Sequence, residues 1–112
     1  MPPAINQAGI LVVDSSDRVR KLIAATLKTF GYLVFEYATG DDALTFVRDY
    51  PGPLSLLLTI DVGGSYTDCE LMQAIRLMRP QMAALHMGGL ARDSVTAAAD
   101  SATALAFSLG PP

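Results

Sequence analysis

The stretch LSLLLTIDVGGSYTDCEL, Leu54 to Leu71, decides how this chain is read. Leu54 to Ile60 is nearly continuously apolar, the pattern of a strand covered on both faces. Asp61, Val62 and the glycine pair Gly63–Gly64 then break the run. From Asp68 onward, Leu71, Ala74, Ile75 and Met78 recur at helical spacing. Asp68 suits the cap of that helix, and Pro80 stops it.

The same alternation runs outward in both directions. Gly9 to Val13 is a second continuous apolar run. The polar turn after it offers Ser16 as an N-cap and Asp17 for the first helical turn. Val19, Ile23, Leu27 and Phe30 then mark one face of a helix over 17–30, with Gly31 placed to end it. Leu33 to Tyr37 reads as a strand, and Asp41 and Asp42 open a short helix through Asp49. Pro51 and Pro53 hold the next connection as a loop. Past Pro80, Met82 to Met87 reads as a fourth strand, Arg92 to Ala102 as an alanine-rich helix and Leu105 to Phe107 as a fifth strand. The order βαβαβαβαβ predicts an α/β fold, a doubly wound parallel five-stranded sheet with helices on both faces. Ligands of such sheets sit at the carboxyl ends of the strands, which singles out the loops after Asp14, Asp61 and Gly88.

The chain has 112 residues, about the length of a single domain, and residues 1–112 are read as one. Its net charge is −3, and the eight basic residues are scattered, which argues against direct nucleic-acid binding. The apolar runs are too short to span a membrane, and the start lacks the signature of a signal peptide. Cys69 is the only cysteine, so neither an internal disulfide nor a cysteine metal cluster is expected. A cytoplasmic location is the expectation.

Residues 9–111 resemble the receiver domain of two-component response regulators, most closely the receivers of hybrid histidine kinases. ILVVDSSDRVR is similar to the family's first strand, acidic turn and first helix. YPGPLSLLLT and the segment from Glu70 to Gly89 are similar to its third strand, third helix and fourth strand, and AFSLGP to its fifth strand. The resemblance implies a flavodoxin-like receiver fold. It also implies an aspartyl phosphoacceptor at the end of the third strand and Mg²⁺ held by that aspartate and an acidic pair. A hydroxyl after the fourth strand and a lysine after the fifth complete the family's site. A transferred phosphoryl group is highly anionic, so such cationic and hydrogen-bonding supports are what the chemistry needs.

Carried over position by position, most of this site is absent. Asp14 keeps the first acid of the pair, and Ser15 replaces the second. Counting back from Glu70–Leu71, Ile60 stands at the phosphoacceptor position. Gly88 stands where the hydroxyl belongs and Gly110 where the lysine belongs, with Pro111 retained. Phe107 fits the aromatic switch position. VGGSYTD takes the place of the family's Met-Pro-Gly. The resemblance therefore implies a degenerate receiver, a non-enzymatic module of protein–protein regulation that works without its own phosphorylation. Its implied partners are a histidine kinase, a phosphotransfer protein or another receiver. The alternative slips the register by one. Asp61 is then the phosphoacceptor, with Mg²⁺ weakly held by Asp14 and Asp61, since Mg²⁺ needs only one or two protein carboxylates. A third reading is a small-ligand sensor at the same strand ends.

Plainer readings stand beside these. Asp61 can be a loop or capping carboxylate. Gly63 to Ser65 could cradle an anion, although paired glycines usually serve turns. His86, inside an apolar strand and without a second histidine, reads as structural, and Cys69 as passive. Met72, Met78, Met82 and Met87 read as packing residues. Receivers end in a fifth helix beside the first; here Gly110, Pro111 and Pro112 cannot form one. The face beside Val19, Ile23 and Leu27 is thus expected to lack about 400 Å² of cover, worth about 10 kcal/mol gross. A homodimer through that face and residues 93–107 is the expected remedy.

Overall fold

A computed structural model of the chain describes residues 9–87. The elements are β1 (Gly9–Val13), α1 (Asp17–Thr29), β2 (Val34–Tyr37), α2 (Gly40–Asp49), β3 (Leu54–Thr59), α3 (Asp68–Met78) and β4 (Ala83–His86). All strand pairs are parallel, and the sheet order is β2-β1-β3-β4. The alternation read from the sequence holds through β4. The expected fourth helix and fifth strand lie outside the described residues, as do Gly88, Phe107 and Gly110.

The central strands β1 and β3 are largely apolar because each face of the sheet has its own core. Ile10, Val12, Leu56 and Leu58 point to one side and meet Val19, Ile23, Ala24 and Leu27 of α1. Leu11, Val13 and Leu57 point to the other and meet Ala43 and Val47 of α2 with Leu71 and Ile75 of α3. Successive strand residues face opposite ways, so only a strand covered on both sides needs every position apolar.

Caps fix where the helices begin. The Ser16 hydroxyl accepts the Val19 N–H, and Thr39 does the same for Asp42. In α3 the cap is Thr67, not Asp68 as the sequence suggested. Thr67 accepts the Glu70 N–H, and Glu70 reaches back to the Thr67 N–H, a complete capping box. That frees the Asp68 carboxylate for the preceding loop. α1 ends at Thr29, with Gly31 in left-handed backbone (φ 94°), and α3 ends just ahead of Pro80.

Two expectations change. Val19, Ile23 and Leu27 are buried within the chain itself, so the expected gap is not at these side chains. On that side of the sheet, among the described residues, open apolar surface lies on β4, where Ala83 and Leu85 are exposed. Leu85 pairs in register with Leu58, which places it on the α1 side. Met82 is buried, Met72 and Met87 pack at the edges of the cores, and Met78 is exposed.

Candidate functional site at the carboxyl ends of β1 and β3

Asp14 directly follows β1, and its backbone N–H donates to the Tyr37 carbonyl (3.1 Å). Continuing the strand alternation turns its side chain inward, where it is 1 % exposed. Neither carboxylate oxygen has a hydrogen-bond partner of normal geometry among the described residues. Burial pushes its pKa above the usual aspartate range. The Ser16 backbone N–H pulls it down, and the negative charge of Asp61 pushes it further up. Asp14, Ser16, Val19, Ile60 and Asp61 line a small cleft of about 70 Å³.

Arg20 is buried beside Asp14. One guanidinium nitrogen donates to the Asp14 carbonyl (2.7 Å), another pairs with Asp17, and the Nε lies 3.5 Å from Glu36. Sequence reading missed Arg20. Its signal was position: it follows core residue Val19 and sits one helical turn after Asp17.

Ile60 continues out of β3, its N–H donating to the Val13 carbonyl (3.2 Å). Its side chain is 1 % exposed and packs in the α1-side core. Asp61 is exposed. Its carbonyl accepts the Ser15 N–H at 2.7 Å, and its carboxylate lies 3.5 Å from the Ser15 hydroxyl, a weak contact. The fold thus brings Asp14, Ser15, Ile60 and Asp61 to one place.

For a divalent cation, this donor set is minimal. The Asp14 oxygens, which lack partners of normal geometry among the described residues, and the nearby negative charge of Asp61 would both welcome a cation. However, no group of three or more His, Cys, Asp or Glu side chains gathers among the described residues. Mg²⁺ would draw its other ligands from water.

The loop from Asp61 to Thr67 is tied to its surroundings. Gly63 donates to the Ala38 carbonyl (3.2 Å) and accepts from the Gly40 N–H (2.9 Å), extending the sheet by one bridge. Ser65 N–H donates to Asp41 Oδ1 (2.9 Å), which holds that carboxyl below the usual range. Gly64 between them has φ 88°, a conformation that side chains resist. These contacts overturn the anion-cradle reading of Gly63 to Ser65. The Gly63 and Ser65 N–H groups are already used, one of them by a carboxylate that would repel an anion.

His86 is the last residue of β4, with 44 % of its side chain exposed. Its Nδ1 is 2.7 Å from Asp68 Oδ2 and 3.0 Å from the Thr59 hydroxyl.

Solved structures similar to this one share its architecture. A receiver domain protein from Methanospirillum hungatei superposes with a TM-score of 0.68 at 22 % identity, over 87 % of this chain and 76 % of that one. The fold is that of a response-regulator receiver domain. The receiver domain of the hybrid histidine kinase CckA gives a TM-score of 0.62 at 22 % identity, over 84 % of this chain and 94 % of its own. A receiver domain protein from Clostridium thermocellum gives 0.63 at 16 % identity, over 91 % and 98 %. No protein-family model and no curated protein sequence matches the chain. Within the described part of this receiver fold, no helix is long and apolar enough to cross a membrane.

Proposed function

We propose that this chain is a degenerate receiver, a single regulatory domain that acts by protein–protein contact in a two-component pathway without phosphorylation of its own aspartate. One observation carries the reading. At the end of β3, the position the resemblance gives to the phosphoacceptor, stands Ile60, an apolar side chain buried in the α1-side core. An alkyl group cannot take a phosphoryl group. The flanking positions are equally poor: Ser15 is neutral, and Gly88 and Gly110 carry no side chain. The module is non-enzymatic and cytoplasmic. Its partners are a histidine kinase, a phosphotransfer protein or another receiver, and it needs neither nucleic acid nor membrane.

The test is incubation with a small phosphodonor and Mg²⁺, followed by intact mass. No stable adduct is expected. An adduct that disappears in Asp61→Asn would overturn the reading.

A second reading keeps Asp61 as phosphoacceptor, with Mg²⁺ held by Asp14 and Asp61. It is favoured by the cleft that both acids line and by the unpartnered oxygens of Asp14. The cation would supply charge neutralisation, Asp14 would hold it, and Asp61 would carry the nucleophilic oxygen. Self-association remains part of the proposal, now through β4, where Ala83 and Leu85 are exposed on the α1 side. Light scattering after size exclusion should report a dimer. A monodisperse monomer at tens of micromolar would rule it out.

A further inference from the structure

The β3–α3 loop connects the cleft to the rest of the domain, and one of its tethers reaches the end of β4. Asp68, at the first position of α3, uses both carboxylate oxygens on different elements. Oδ1 accepts the Val62 N–H (3.2 Å), and Oδ2 lies 2.7 Å from His86 Nδ1 at the end of β4. The His86 contact is an ion-pair approach rather than a well-formed hydrogen bond, and the same Nδ1 faces the Thr59 hydroxyl at 3.0 Å. A carboxylate is attracted to a ring nitrogen that carries its hydrogen, so the contact calls for the form of His86 with hydrogen on Nδ1.

We propose that Asp68 and His86 form a latch that fixes the β3–α3 loop to β4. His86 is the positioning residue: it holds the carboxylate so that Oδ1 stays on Val62. Val62 directly follows Asp61, whose carbonyl is bound by Ser15. The end of β4 and the Asp14–Asp61 cleft are therefore mechanically joined. Whatever engages His86 from outside competes for Asp68 and loosens the loop. By linkage, whatever orders the loop at the cleft strengthens the β4 contact. The chain's sequence supplies every part: Thr67 takes the capping role and leaves Asp68 free, and Thr59 and His86 meet in strand register. The latch does not depend on which partner the module binds.

Backbone amide exchange on the intact chain tests it. His86→Leu removes the Nδ1 donor, and Val62 should exchange about tenfold faster, the loss of one modest hydrogen bond. His86→Asn places an amide donor where Nδ1 was and should restore most of the protection. Leu57, in the middle of β3, should exchange at the wild-type rate in both, which separates loop opening from global destabilisation. Asp68→Ala should open Val62 at least as far, and adding His86→Leu to it should change nothing more. Unchanged Val62 exchange in His86→Leu would overturn the latch. So would failure of the asparagine to rescue, or additive opening in the double variant.

Discussion

Replacing Asp14 by asparagine should make this protein more stable at neutral pH. The carboxylate is 1 % exposed, and its oxygens lack partners of normal geometry among the described residues. The nearby Ser16 and Asp61 backbone N–H groups help the charged form, but burial outweighs them. An orphaned buried polar group costs ~1–3 kcal/mol, and more when charged. Asparagine keeps the shape and remains an imperfectly bonded amide, so only the charge part is recovered, about 1–2 kcal/mol. For a domain of this size, that is a rise in melting temperature of roughly 4–10 °C.

The pH dependence is the sharper check. Well below the ordinary aspartate pKa of about 4, Asp14 is protonated in both folded and unfolded chains. No charge is then buried, and the two proteins should differ least. As pH rises past that point, the unfolded chain ionises first, because the folded pKa is raised. The folded state then binds more protons than the unfolded one, so wild-type stability falls with pH until the folded carboxyl has ionised too. The Asp14→Asn variant escapes this loss, and the gap between the two proteins should widen from acid to neutral pH in metal-free buffer. Thermal melts by circular dichroism read it directly. A wild type as stable as Asp14→Asn at pH 7, or a gap that does not change with pH, would refute the reasoning. If a divalent cation does bind Asp14 and Asp61, adding it should narrow the gap by stabilising the wild type alone.

Gly64→Ala places a side chain at φ 88° and against the Asp41 carboxylate. It should cost about 1–2 kcal/mol, seen in urea unfolding, with the loop amides of Gly63 and Ser65 losing protection first. Arg79 reaches back from the end of α3 to the carbonyls of Gly52, Val47 and Tyr50. Arg79→Ala should cost about 2–3 kcal/mol, and Arg79→Lys should recover only part, because one ammonium cannot span three carbonyls. Thr67→Ala should cost about 1 kcal/mol through loss of the capping box, whereas Thr67→Ser should be close to neutral.

The sequence determined the alternation, the helix faces and the doubly covered sheet. Each is a local pattern with one physical reading: a strand apolar at every position needs cover on both sides, and a residue recurring every third or fourth position faces one core. The apolar end of β3 was legible as well, since counting from Glu70–Leu71 placed Ile60 there, and Ile60 is buried in the α1-side core. Other features needed the fold. Asp14 is one polar residue after an apolar run, and its burial is a property of the fold, not of any local pattern. Asp68 looked like a cap because both it and Thr67 are capping residues; the reach of Glu70 decided for Thr67. His86 read as a structural residue of an apolar strand, but its partner Asp68, 18 residues away in sequence, was visible only in the fold. The ties from Gly63 and Ser65 to Ala38, Gly40 and Asp41 likewise join separate loops. No local periodicity encodes such contacts. They arise because parallel strands deliver their carboxyl ends to one edge of the sheet, so that loops distant in the chain share hydrogen bonds and charge.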